Sequence, residues 1–307
     1  MIYTILRLQI YEDRITYDDG NGPDSNGCGI TTRNEGTACT VTFTMTEDVS
    51  DDLMVYYELN NFYQNHRRYV GSRDADQLMG ESRSESELSL TCDPLYKNGN
   101  LTLNPCGLIA NSLFNDVITT SSKTLDETGI AWKSDREKKF AQVDGFKSGL
   151  KSSYSGGVCP TGYSEYDESG TAYCYMYPED NKYQYLYESY PEVISPLDGV
   201  TNEHFIVWMR TAGLPNFRKL YGKIEGQPFS KGDTLVFNIQ QNFAVNDFKG
   251  KKSIVISTVG QFGGKNPYLG VAYIVVGSIS LFFGCLFLIK HIFYPRKMGD
   301  LSKLHWS

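Results

Sequence analysis

Residues 268–289, YLGVAYIVVGSISLFFGCLFLI, run for 22 positions without a charged side chain. A helix of that length rises about 33 Å, enough to cross a hydrocarbon core of about 30 Å. In lipid the backbone must satisfy its own polar groups, which a lone segment can do only as a helix. Tyr268 and Tyr294 stand at the two expected interfaces, and Lys290 and His291 open a tail, 290–307, carrying Lys290, Arg296, Lys297 and Lys303 against Asp300. Positive flanks stay cytosolic, so the expected order is a lumenal or extracellular region 1–267, a span 268–289 and a basic cytosolic tail 290–307. A buried core helix is the alternative, and the uncharged length beside a basic tail argues against it. Gly270, Tyr273, Gly277, Ser280 and Gly284 recur at spacings of three and four and share one face. Small residues on one face let a second helix approach closely, so this stripe is the expected contact with a partner in the membrane; glycine facing lipid is the alternative.

The cysteines agree with a domain on the non-cytosolic side. Six of the seven, Cys28, Cys39, Cys92, Cys106, Cys159 and Cys174, lie outside the apolar run, which holds Cys285. None forms a CxxC pair, so a zinc ribbon or thioredoxin-like site has little support. Six cysteines allow many connectivities, and the sequence alone leaves the choice open. Pairing between sequence neighbours is the expectation, and each such loop of roughly a dozen residues contributes about 3 kcal/mol in the chain-entropy model. Disulfides need an oxidising compartment. The formal net charge is −7, and the excess of positive charge in the tail leaves the rest of the chain more acidic still. Such a surface does not suit nucleic acid, whose phosphates need a basic face.

Strand patterns dominate before residue 260. In TVTFTMT (40–46) Val41, Phe43 and Met45 alternate with threonines, the period of a half-buried strand. Residues 55–59, 233–240 and 253–259 read as strands too. Glycine-, asparagine- and aspartate-rich stretches at 18–29, 98–100 and 145–157 punctuate them. Short helices are expected at 108–114 and 203–211, the second with Asn202 as N-cap, Gly213 past its end and Pro215 beyond. The sum is mainly β: an antiparallel β-sandwich with helical and loop excursions, followed by a C-terminal transmembrane helix. Nine tyrosines fall between 163 and 190; they suit either a partner-binding surface or aromatic packing on a strand pair. One sequon, Asn100-Leu101-Thr102, sits in a turn between Cys92 and Cys106 and is a candidate glycosylation site. Residues 1–11, MIYTILRLQIY, are too short for a signal peptide or a span and contain Arg7, so a lumenal domain needs a translocation signal beyond what this sequence provides.

A search for chemistry yields little. The sequence has no GxxxxGK[ST] loop, no GxSxG elbow and no DKTG aspartyl-phosphate motif. His291 and His305 belong to the tail, leaving His66 and His204. His66 lies beside two arginines, so a role as general base has weak support, and His204 falls on the short helix; neither spacing suggests a metal or a catalytic dyad. Enzymatic activity and cofactors are not indicated. A single-span receptor, a carbohydrate-binding ectodomain and an anchored hydrolase built around one of these histidines are the competing readings.

Several segments are too particular for propensity reasoning: NNFYQNHRRYVGSRD (60–74), NPCGLIANSLFND (104–116), GIAWKSD (129–135), NEHFIVWMRTAGLPNFRKLYGKIEG (202–226) and GGKNPYLGVAYIVVGSIS (263–280). In these the chain resembles the cell-division-control protein 50 family, also called the ligand-effect-modulator family, the β-subunits of phospholipid flippases. The resemblance implies two transmembrane helices enclosing a disulfide-braced, N-glycosylated lumenal β-sandwich, with both termini cytosolic. It implies a non-catalytic accessory subunit that binds a type IV P-type ATPase. Such a subunit is required for that pump's folding, its exit from the endoplasmic reticulum and its phosphorylation cycle, while the pump moves phospholipids toward the cytosolic leaflet. Residence in the endoplasmic reticulum, Golgi, endosome or plasma membrane follows, with membrane lipids and the ATPase as partners. The family's first transmembrane helix is missing from this sequence, and Asn100 is its one sequon where the family often has several. The contact candidates are the stretches 61–68 and 208–218, with Arg67, Arg68 and Arg218 foremost, together with the glycine stripe. Trp208, Phe205 and Phe217 are expected in the core.

Overall fold

The computed structural model describes residues 10–24, 27–259 and 267–294, the first three of the last segment by backbone alone. Arg7, Arg296, Lys297, Asp300, Lys303 and His305, and with them most of the expected basic tail, lie outside the described residues. The chain divides into a unit spanning Tyr11–Val259 and a second that holds the C-terminal helix.

In the first unit the chain lays down β1 (Glu12–Asp18), β2 (Thr37–Thr44) and β3 (Leu53–Asn60). An excursion follows with α1 (Arg67–Gly71), α2 (Ala75–Leu78), α3 (Glu85–Thr91), β4 (Lys97–Asn98) and β5 (Leu101–Asn104), before β6 (Val117–Thr120). A second excursion carries α4 (Lys133–Lys138), β7 (Lys147–Leu150), β8 (Ser164–Glu168), β9 (Thr171–Met176), β10 (Tyr183–Tyr185), α5 (Leu186–Ser189) and α6 (Glu203–Met209). Then come β11 (Phe217–Ile224), β12 (Thr234–Gln241) and β13 (Lys251–Thr258).

The strands outside the excursions make two antiparallel sheets, ordered β1-β13-β3-β11 and β2-β12-β6. Alternation sets their faces. Cys39, Val41 and Phe43 of β2, Leu53, Val55, Tyr57 and Leu59 of β3, and Leu235, Phe237 and Ile239 of β12 all turn inward. Those side chains merge with Ile254 and Ile256 of β13 into one buried cluster, the interior of a two-layer sandwich. The expected strands stand within two or three residues of these bounds. The excursions form two smaller sheets, β10-β5-β4 and β7-β9-β8.

Disulfides join Cys28 to Cys39, Cys92 to Cys106 and Cys159 to Cys174, the pairing between sequence neighbours. Each brackets a glycine-rich or turn-rich stretch. The second holds a satellite core of Leu88, Cys92, Leu103 and Cys106.

Two of the expected helices change. Residues 108–114 contain only a 3₁₀ turn, Ala110–Ser112. The Asn202 side chain does cap α6, accepting from the His204 and Phe205 amides, but the helix stops at Met209, well short of Gly213. In the tyrosine-rich stretch, Tyr175, Tyr177, Tyr183, Tyr185 and Tyr187 pack together with Phe146 on Val143, the Tyr177 and Tyr185 rings 4.3 Å apart. Aromatic packing therefore accounts for these five, rather than an open binding surface.

The second unit contributes α7 (Pro267–Phe293), of which Gly270–Phe293 is long and apolar enough to cross a membrane. It runs past the expected end at Ile289, because Lys290 and His291 fit the last helical turn, where positive charge complements the helix dipole.

Candidate partner-binding surface

The two stretches singled out in sequence, 61–68 and 208–218, lie against one another. Asn61 takes a left-handed conformation, φ 63°, which turns the chain sharply out of β3. Its amide donates to Asn216 Oδ1 at 3.1 Å, and the Phe62 amide donates to the Pro215 carbonyl at 3.0 Å. Asn65 Nδ2 donates to the Gly213 carbonyl at 2.9 Å, and the Ala212 amide donates to Gln64 Oε1 at 2.9 Å. The two loops thus supply partners for each other's backbone groups. Gln64, wholly buried, holds this seam and was missed by the sequence reading; a polar side chain between two aromatic segments was the available signal.

Below the seam, Phe62 meets Trp208 at 5.6 Å, Phe217 at 6.3 Å and Phe243 at 6.0 Å. Trp208 Nε1 donates to the Ile109 carbonyl at 2.8 Å, and Phe205, Trp208 and Phe217 are buried as expected. Above it, Tyr63 and Leu214 are 56% and 69% exposed, an apolar pair on a rigid base. Rigid, exposed aromatic and aliphatic side chains are what an interface uses as anchors.

The arginines divide. Arg67 is exposed and makes no ion pair among the described residues. Arg68 meets Asp93 at 3.2 Å, with both side chains in solvent. Arg218 is committed within its own sheet, 2.9 Å from Glu12 and stacked 5.0 Å over Tyr56. His66 precedes α1 and is exposed, with no side-chain capping bond. His204 is 2.7 Å from Glu127 and stacks on Tyr221 at 4.5 Å, while the Tyr221 hydroxyl accepts from the Ile118 amide. These contacts tie the loop at 127 to α6 through the imidazole Nε2 and its ring face.

The surface is held from behind by Lys219. Its Nζ donates to the carbonyls of Val207 at 2.8 Å and Trp208 at 3.1 Å, and to that of Arg210. Carbonyls at a helix C-terminus lack intrahelical partners. Here a lysine reaching across from β11 supplies what Gly213 was expected to provide. Burial drives this ammonium down to about 7, and repulsion from Arg210 adds to the effect. Asp135 anchors the same corner: a hydrogen bond from Arg210 is the main cause holding its carboxyl below the usual range, and Lys139 lies 2.7 Å away.

On α7, Gly270, Gly277 and Gly284 have nothing within 4 Å of where a Cβ would stand, and Tyr273 is 71% exposed. Ser280 is exposed as well, so the whole stripe is open. Asn100 is exposed in the two-residue turn between β4 and β5.

A disulfide-braced two-sheet domain and an apolar helix of membrane length on one chain define a membrane protein with a folded β domain. The model of the LEM3 (ligand-effect modulator 3) family / CDC50 family matches residues 4–297, and the chain belongs to that family. It is 39% identical over 267 residues to Cell cycle control protein 50A of Mus musculus, covering 82% of this chain and 68% of that one. It is 40% identical over 273 residues to ALA-interacting subunit 3 of Arabidopsis thaliana, covering 88% and 68%. With the Phospholipid-transporting ATPase accessory subunit CRF1 of Saccharomyces cerevisiae (strain ATCC 204508 / S288c) it shares 36% identity over 277 residues, covering 88% and 63%.

Proposed function

We propose that this chain is the non-catalytic accessory subunit of a phospholipid-transporting P-type ATPase of the type IV class. One observation carries the reading: the family match runs through both the β domain and the apolar helix, and the chain shares 36% identity over 277 residues with a protein named as such an accessory subunit. The three disulfides support a lumenal or extracellular place for residues 1–267, and the basic residues after 289 support a cytosolic C-terminus. The interlocked loops, with Tyr63, Leu214 and Arg67 outward and Arg68 and Arg218 beside them, form the lumenal contact. The stripe Gly270, Tyr273, Gly277, Ser280 and Gly284 packs on a helix of the pump. A permanent interface of this kind buries more than about 2,000 Å². The chain assists the pump's folding and its exit from the endoplasmic reticulum, and biases its cycle by binding its conformations unequally.

Affinity purification of the tagged chain from its native membranes tests this. A P-type ATPase recovered in equal amount is the expected result, and Leu214→Asp with Arg67→Glu should lower its recovery while the disulfides stay intact. Recovery of the folded chain with no ATPase would sink the proposal.

A further inference from the structure

The turn that carries the sequon opens beside a polar cleft. This cleft, about 340 Å³, includes Lys97 and Asn98 of β4 in its wall, so Asn100 lies two residues from its rim, at most about 7 Å along the chain. The volume falls within the usual range for small-ligand sites. Its lining pairs amides with rings. Asn98 Nδ2 donates to Gln184 Oε1 at 2.8 Å, Gln184 Nε2 donates to Ser189 Oγ at 3.0 Å, and Asn115 Nδ2 donates to Asn34 Oδ1 at 2.8 Å. These bonds fix the amides in place, yet among the described residues the Oδ1 atoms of Asn98 and Asn115 accept nothing, nor does that of Asn111, whose Nδ2 is spent on the Pro105 and Gly107 carbonyls. Tyr190 contributes ring surface, and the Arg33 guanidinium, which makes no ion pair among the described residues, lies 5.9 Å over the buried Phe243 ring as a donor.

Preset acceptors, a cationic donor and one aromatic face at one mouth match a sugar, whose hydroxyls and N-acetyl amide donate and accept while its ring C–H face is apolar. A lipid or an apolar peptide would leave the amides unpaired, at a cost. We infer that the cleft cradles the proximal N-acetylglucosamine residues of a glycan carried on Asn100 of the same chain. The attachment supplies the sugar at high effective concentration, so weak contacts suffice. The glycan thereby clips the β4–β5 hairpin to α5 and to the loop at 33–34, a bracing of the excursion that follows α3. The inference rests on the lumenal placement argued above.

The test uses the full chain co-purified with its ATPase from a glycosylating host. Mass spectrometry of the tryptic glycopeptide reads occupancy, and native digestion with an amidase that cleaves the sugar–asparagine bond reads burial of the core sugar. Asn100 is expected to be modified, and its release is expected to be about tenfold slower than in the Arg33→Ala, Asn98→Ala double variant, the worth of one or two hydrogen bonds. Removing the glycan should raise amide exchange in residues 111–115 and 184–190. An unmodified Asn100 overturns the inference, as does release at the same rate in both proteins. Disulfides formed with Asn100 bare would spare the lumenal placement; freely alkylated cysteines would remove both.

Discussion

Two lysines are buried in strands of the same sheet, and their surroundings could hardly differ more. Lys252 of β13 lies 2.8 Å from Asp116 and 3.4 Å from Asp18, donates to the Phe243 carbonyl at 2.7 Å, and sits 5.2 Å from the centre of the Tyr17 ring. Asp116 is itself held by the Tyr17 hydroxyl at 2.8 Å and by the Asn242 and Phe243 amides at 2.6 and 2.7 Å. Asp18 ends a strand of one sheet, Asp116 precedes a strand of the other, and Phe243 follows β12. The ammonium thus joins both layers through formal charge. Lys219 of β11 meets carbonyl dipoles and the Trp208 and Phe217 rings, with no carboxylate partner among the described residues, and joins one strand to one helix. The first arrangement fails catastrophically when a partner is removed, because charge is left in the interior. The second fails by a few unpaired carbonyls.

The largest expected effect follows from that contrast. Lys252→Met should leave two carboxylates buried without their cation and destabilise the β domain by about 3–5 kcal/mol, read as the shift of a denaturant midpoint. Asp116→Asn should recover part of the loss in the double variant, since it removes one of the stranded charges. If Lys252→Met cost no more than a surface substitution, the two sites would be equivalent and the contrast would fail.

Lys219→Met comes second. The Val207, Trp208 and Arg210 carbonyls lose their donor while apolar volume is kept, so the expected loss is about 1–3 kcal/mol. A pH series sharpens the comparison. With the folded pKa at about 7 against an ordinary value of 10.5, the unfolded chain binds a proton between those limits that the folded chain does not. Stability contributed here therefore rises as pH climbs through that window and levels off below about 7. The wild-type midpoint should gain on that of Lys219→Met between about pH 7 and 9.5, below the range where tyrosines ionise. A gap that stayed constant would mean that the carbonyls keep the amine charged throughout.

Neither lysine was legible as buried from composition, though the information was present. Phe217, Lys219 and Tyr221 share a parity on β11, as do Lys252, Ile254 and Ile256 on β13. A charged residue on the apolar parity was the signal, and it was overridden by the expectation that lysine faces water. β2, β3 and β12 were readable because each keeps a period of two against a single core, β13 as a short run rich in β-branched residues, and α7 because its 22 uncharged positions stand beside a basic tail. The end of α6 was not readable: its C-terminal carbonyls are served by a side chain ten residues on, which no local rule anticipates. The interlock of 61–68 with 208–218 was visible only as two particular segments, since their pairing depends on where β3 and β11 place their ends.

The smallest effect concerns charge that never leaves solvent. Arg68 and Asp93 are 62% and 65% exposed at 3.2 Å, so water screens the pair and ordering two long side chains offsets what attraction remains. Arg68→Ala is expected to change stability by less than about 0.5 kcal/mol, and Arg67→Ala, with no ion pair to lose among the described residues, by no more. Both should nevertheless lower ATPase recovery if the interlocked loops are the lumenal contact, because each exposed guanidinium has N–H donors that only water serves in the free chain. A midpoint that fell as far for Arg68→Ala as for Lys219→Met would mean that the exposed pair braces the fold. The separation between charges that hold the domain and charges left for a partner would then have to be redrawn.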